Sequence, residues 1–183
     1  MRVIDVVITV VWVVFWLYWL AASFGAKATQ TRSRSSAMIR ILIVIIVITA
    51  ARAGLFKGHT ATIDNPWLEG FGLAVFLAGL GLAVWARAYL GRNWGMPMSE
   101  KVDPELVTTG PYRFVRHPIY SGIILAMIGT TMAVTLYWLG GVVLLGGYFV
   151  YSATVEERNM ELLFPDAYGA YKRRTKMLIP FVF

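Results

Sequence analysis

The chain has no cysteine, which removes disulfides, thiolate nucleophiles and cysteine-based metal centres. Histidine is nearly absent too. The 2 present, His59 and His117, are too few to build a transition-metal site without help. Acidic residues are scarce, 10 against 17 basic ones, giving a net charge of +7. Nucleic-acid binding would spread such an excess along a soluble face. Here the basic residues flank apolar runs instead, so nucleic acid is not an expected partner. What remains is apolar: 58% of the 183 residues are hydrophobic, and the mean hydropathy is +0.64. That balance excludes an ordinary soluble domain and predicts a polytopic membrane protein.

A helix crossing a bilayer needs about 20 mainly apolar residues. Residues 4–24 supply a first span. A secretory signal is the competing reading of that stretch, but its apolar core is too long and only Arg2 precedes it. A second span fits 37–56 if Arg40 and Arg52 snorkel to opposite interfaces. A third covers 66–89, with Gly70, Ala74 and Ala78 as a small-residue stripe suited to close helix packing. The run 119–155 carries no charge. It is too long for one helix and suits two spans broken near Val134 to Trp138, where Tyr137 and Trp138 mark an interface. The expected fold is an all-α integral membrane protein with five transmembrane helices in a single membrane domain over 1–183. Residues 1–65 carry two N-terminal spans, and 66–183 form a core of three spans and a C-terminal helix.

Charge sets the expected orientation. With the 87–118 loop and the tail in the cytoplasm, every one of the 17 basic residues except Arg2, Arg52 and Lys57 falls inside. The N-terminus is then outside.

Two inner segments concentrate polar groups. The first is Leu106-Val-Thr-Thr-Gly-Pro-Tyr-Arg-Phe-Val-Arg-His-Pro-Ile-Tyr-Ser-Gly122. Thr109 to Tyr112 reads as a turn. Pro118 suits the first turn of the fourth span and puts His117 near its N-cap, where free N–H groups favour an anionic group. Arg116 and His117 read equally well as interfacial anchors for lipid headgroups. The second segment begins Glu156-Glu157-Arg158 and runs to Arg174. Carboxylates at a helix C-terminus oppose its dipole. The helix therefore continues inward, or the acids have cationic partners, with Arg113, Arg116 and Arg174 the candidates. A structural salt-bridge cluster and a binding site are equally good readings of that chemistry. Tyr168 and Tyr171 share one face of the next helix.

These residues resemble a known family. The pattern Leu-Val-x-x-Gly-x-Tyr-x-x-x-Arg-His-Pro-x-Tyr-x-Gly, then a Glu pair, an apolar-aromatic stretch and Tyr-x-x-Tyr, is similar to the isoprenylcysteine carboxyl methyltransferases and their bacterial relatives. Phospholipid N-methyltransferases share its Arg-His-Pro-x-Tyr core. The resemblance covers roughly residues 90–181. It implies an integral membrane methyltransferase that uses S-adenosyl-L-methionine. The cofactor would lie in a cytosolic pocket built from the C-terminal half, and a lipid-like or amphipathic acceptor would enter from the membrane. A multi-pass protein of a bacterial inner membrane is the implied setting, with membrane lipids as its surroundings.

Carried over by position, the resemblance implies cofactor contacts from Glu105, Leu106, Val107, Tyr112, His117, Pro118, Ile119, Tyr120 and Glu156. Carboxyl methyltransferases of this kind usually carry an arginine four residues before the first Glu. Ser152 stands there in this chain. Arg116 and Arg174 are then the residues able to hold an acceptor carboxylate, and they are the candidate catalytic residues. With two histidines and no cysteine, no metal site is expected. Two other readings accompany it: an NADPH-dependent membrane reductase of the sterol-reductase type, and a non-catalytic lipid-binding membrane protein.

Overall fold

The computed structural model describes residues 2–24, 29–31, 63, 65–94, 100–101 and 105–183. Helix α1 spans Val3–Ser23, α2 Pro66–Leu90, α3 Pro118–Ala133, α4 Trp138–Leu163 and α5 Pro165–Arg174. A short antiparallel ribbon pairs β1 (Thr29–Thr31) with β2 (Glu100–Lys101), so the loops after α1 and α2 meet through their backbones. The predicted second span at 37–56 lies outside the described residues.

Among the described residues, α1, α2 and α4 are long and apolar enough to cross a membrane. Helix α3 has 16 residues, a length of about 24 Å at the helical rise, short of the ~30 Å hydrocarbon core. It occupies the predicted fourth span but is largely buried by the other helices. Local signals explain its ends. Pro118 fills the first helical position, where a missing N–H costs nothing. The break from Val134 to Tyr137 falls where the sequence places it.

Helix α3 lies most extensively against α2. Gly72 and Gly79 on α2 meet Gly122 and Gly129 on α3. A methyl group at Gly122 would come within 2.6 Å of the Gly79 carbonyl oxygen, and one at Gly72 within 2.7 Å of the Ala133 nitrogen. Backbones this close exclude any side chain. The stripe expected to do this work, Gly70, Ala74 and Ala78, is instead exposed. Phe76, Ala83 and Ala86 complete the true packing face, each fully buried. Helix α2 carries small residues on more than one face, and Phe76 decides which face turns inward.

Helix α1 joins at both ends. Arg2 donates to Glu69 at 2.7 Å, to Asp5 at 3.0 Å and to the Val134 carbonyl at 2.8 Å. Trp12 donates to Thr130 at 3.1 Å and packs on Phe76. At the far end Trp19 meets Trp94 edge-on. Arg2, Glu69 and the α3–α4 turn thus share one end of the bundle. The start of α3 and the charged end of α4 lie at the other.

Candidate active site

The two polar segments converge. The approach to α3 begins as irregular chain at Glu105 to Thr108, is extended at Thr109, tightens into a 3₁₀ turn over Gly110–Arg113, and enters the helix at His117. From the other side, α4 runs past its apolar part and brings in Glu156 and Glu157. Both readings of those carboxylates hold at once: the helix continues, and the acids have partners.

His117 is the N-cap residue of α3, but its imidazole makes no capping bond. It reaches across to α4 instead. Nδ1 lies 3.5 Å from Oε2 of Glu156, and Nε2 lies 3.5 Å from Oε1 of Glu157. Nε2 is buried with no hydrogen-bond partner. Burial disfavours the imidazolium, but the two carboxylates outweigh it and raise the His117 pKa above its ordinary value. The Tyr120 hydroxyl donates to Oε1 of Glu156 at 2.5 Å. The Tyr120 ring stacks between His117, with centroids 5.4 Å apart, and Phe149, 4.6 Å away.

Glu157 is 2% exposed. It accepts from Nε of Arg116 at 2.6 Å and pairs with Nζ of Lys172 at 2.9 Å. Arg116 also donates to the Thr175 carbonyl at 2.5 Å. Lys172 pairs with Glu161 at 2.8 Å as well, and these carboxylates hold its pKa above the ordinary lysine value. Glu157 therefore ties α3, α4 and α5 together. The segment after α5 adds backbone bonds: the Arg116 N–H to the Lys176 carbonyl at 2.8 Å, and the His117 N–H to the Met177 carbonyl at 3.1 Å. Tyr171 donates to the Tyr112 carbonyl at 2.6 Å. Burial raises the Tyr112 hydroxyl pKa well above the usual phenol value, which keeps it neutral.

The sequence-predicted residues therefore separate into groups. His117, Tyr120 and Glu156 are in mutual contact. Pro118 and Ile119 are buried beside them, and Tyr112 is buried in the turn held by Tyr171. Leu106 and Val107 are half-buried, Val107 against the core, while Glu105 is exposed. Arg116 is engaged by Glu157. Arg174 is exposed at the end of α5. Of the cations expected to answer the Glu pair, Arg116 does so. Arg113 instead lies over the Phe114 ring at 5.2 Å. Lys172 was not among the expected partners. Its place on the same helix face as Tyr168, four residues earlier, was the signal that could have found it. Phe149 was missed because an aromatic inside an apolar span carries no local mark. Ser152 is fully buried and donates to the Tyr148 carbonyl at 2.8 Å, a bond within its own helix.

The phospholipid methyltransferase profile matches residues 68–167, which holds the Leu106–Gly122 segment, the Glu pair and the hairpin between them and ends just before Tyr168. The chain belongs to the phospholipid methyltransferase family. It is similar to the nickel-cobalt-cadmium resistance protein NccN of Alcaligenes xylosoxydans xylosoxydans, 30% identical over 69% of this chain and 57% of that protein. It is also similar to methanethiol S-methyltransferase 1 of Bradyrhizobium diazoefficiens, 40% identical over 44% of this chain and 28% of that one. Among solved structures, the eukaryotic intramembrane Ras methyltransferase ICMT (isoprenylcysteine carboxyl methyltransferase) matches with a TM-score of 0.57. That match is 24% identical and covers 84% of this chain and 55% of the other. At that identity the likeness is one of fold. In each case the chain spans less than two thirds of its relative's length.

Proposed function

We propose that this chain is an integral membrane methyltransferase that uses S-adenosyl-L-methionine to methylate a lipid-like or amphipathic acceptor. The observation that carries the reading is the meeting of Tyr120, His117 and Glu156, from segments 36 residues apart, at one end of the bundle. Membership in the phospholipid methyltransferase family favours methyl transfer over a reductase or a passive lipid binder.

The residues fit that cofactor. A sulfonium nucleotide brings a cationic sulfur and an ammonium, and the site offers a carboxylate at Glu156 and the aromatic ring of Tyr112, while Tyr120 contributes its ring edge and its hold on Glu156. Nε2 of His117, buried 3.5 Å from Glu157 without forming a hydrogen bond, adds a polar atom to the lining. We assign cofactor contact to Glu105, Leu106, Val107, Tyr112, His117, Pro118, Ile119, Tyr120 and Glu156.

When bound, the cofactor supplies an electrophilic methyl group for in-line displacement. The chain supplies position and dryness. The stack of His117, Tyr120 and Phe149 walls the site with rings and excludes water. The Tyr120 hydroxyl fixes the Glu156 carboxylate so that it meets the cofactor already oriented. Arg116, through Glu157, Thr175 and the Lys176 carbonyl, fixes the entry to α3. We assign it a positioning role. Arg174 is the exposed cation still able to meet an anionic acceptor at the inner surface.

The acceptor can be found directly. Membranes or lipid extracts incubated with purified protein and a labelled methyl donor should yield a labelled product, and Glu156→Gln should abolish it. A wild-type protein that binds the donor but labels no lipid or small amphiphile would argue against this acceptor class.

A further inference from the structure

One buried charge takes no part in the site described so far. Arg87, in the last turn of α2, is 6% exposed. It donates to the Gly91 carbonyl and to the Ala22 carbonyl, each at 2.6 Å, and its guanidinium lies 4.8 Å from the Trp94 ring centroid. Among the described residues no carboxylate pairs with it. Arg116, whose side chain is 8% exposed, has Glu157 as its counter-ion. Nε of Arg87 is buried without a partner.

Carbonyls at the ends of α1 and α2 offer partial negative charge. They use one hydrogen from each terminal nitrogen. Nε–H and the second hydrogen of a terminal nitrogen form the edge at which a guanidinium meets a carboxylate in a two-point fork. A buried cation without a counter-ion is costly, and an anionic ligand relieves that cost.

The place of Arg87 says which anion. Helix α2 packs on the 3₁₀ turn that carries Tyr112. Tyr89, two residues beyond Arg87, lies against Gly110 at the start of that turn: a methyl group at Gly110 would come within 2.5 Å of its ring. The cation at Arg87 and the anion at Glu156 thus share one end of the bundle. An amino-acid head group, with ammonium and carboxylate on one carbon, matches that pair of charges. His117 is a poorer partner for the carboxylate, because both its nitrogens already face glutamates.

We propose that Arg87 anchors the carboxylate at the methionyl end of S-adenosyl-L-methionine, while Glu156 faces the ammonium of the same group. The assignment rests on the methyltransferase reading above. It makes Arg87 a binding residue as well as the clamp between α1 and α2.

The test compares two ligands that differ only in the carboxylate. Equilibrium binding of S-adenosylmethionine and of its decarboxylated analogue is measured by calorimetry on full-length protein in detergent. The wild type should prefer the carboxylate-bearing ligand by about ten- to a hundredfold, the range of a charge-assisted contact. Arg87→Gln should lose that preference, with affinity for the decarboxylated analogue unchanged. Arg87→Lys should retain part of it. Equal loss for both ligands in either variant would reduce Arg87 to a helix clamp and overturn the proposal. So would a wild type that binds both ligands equally, a result read without any variant. A wild type that binds neither would sink the methyltransferase reading itself, a separate and recognisable failure.

Discussion

The Tyr120 hydroxyl donates to Glu156 at 2.5 Å, joining the first turn of α3 to the charged end of α4. The bond fixes a carboxylate that would otherwise sample many rotamers at a half-exposed position. Tyr120→Phe should leave the fold intact and cost about 1 kcal/mol of stability, the net worth of such a bond. It should weaken S-adenosylmethionine binding several-fold, because Glu156 is then free to turn away. Thermal melts and ligand titration in detergent read the two effects separately.

Glu157 is the hub of the site's support. Removing one partner of a buried pair leaves the other charge uncompensated, a loss of about 3–5 kcal/mol. Glu157→Gln and Arg116→Gln should therefore both lower the melting temperature sharply. Lys172 is 41% exposed at its side chain, and Lys172→Ala should cost ~1 kcal/mol or less. Equal losses at Arg116 and Lys172 would mean that burial does not set the strength of these pairs.

His117 gives the protein a pH signature. Its folded pKa is raised above the ordinary 6.5, so the native state holds the proton more tightly than the unfolded chain. The resulting stabilisation is fully present below the unfolded pKa. It is lost as pH rises through the folded value. Stability should fall as pH climbs above neutral, less so in His117→Gln. Nitrogen-15 NMR of labelled histidine should show a midpoint above 6.5 that moves down in Glu156→Gln. A midpoint at or below 6.5 in the wild type would contradict the two-carboxylate environment.

How far the sequence announced this site depends on how local each cause is. Pro118 at the head of an apolar run, the turn at Gly110 and Pro111, and two glutamates after a long uncharged stretch are local signals, and each marks the right place. The pairing of Glu157 with Lys172 and the burial of Arg87 depend on how helices rotate about their axes. A chain with small residues on several faces leaves that rotation open. Gly70, Ala74 and Ala78 illustrate it: they form a sound packing stripe that the fold turns outward, while Gly72 and Gly79 do the packing. Nothing local in the sequence marks Arg87, because Ala22 and Trp94, which cover it, are brought there by the fold.

The glycine contact can be tested without reference to activity. Gly79→Leu and Gly129→Val place side chains where backbone of the facing helix already lies, and neither should yield folded protein in detergent. Gly81→Ala faces open space. It should be neutral or stabilising by about 0.5–1 kcal/mol, the helix cost of glycine. Thermal melts and gel filtration decide between these outcomes.

The central claim is that the approach to α3 and the end of α4 grip one cofactor together. Ultraviolet cross-linking of labelled S-adenosylmethionine to the purified protein, with mass-spectrometric mapping of the labelled peptides, tests this directly. The account predicts saturable label on peptides covering residues 105–120 and on the peptide holding Glu156, displaced by S-adenosylhomocysteine. Label confined to other segments, or label that never saturates, would contradict it.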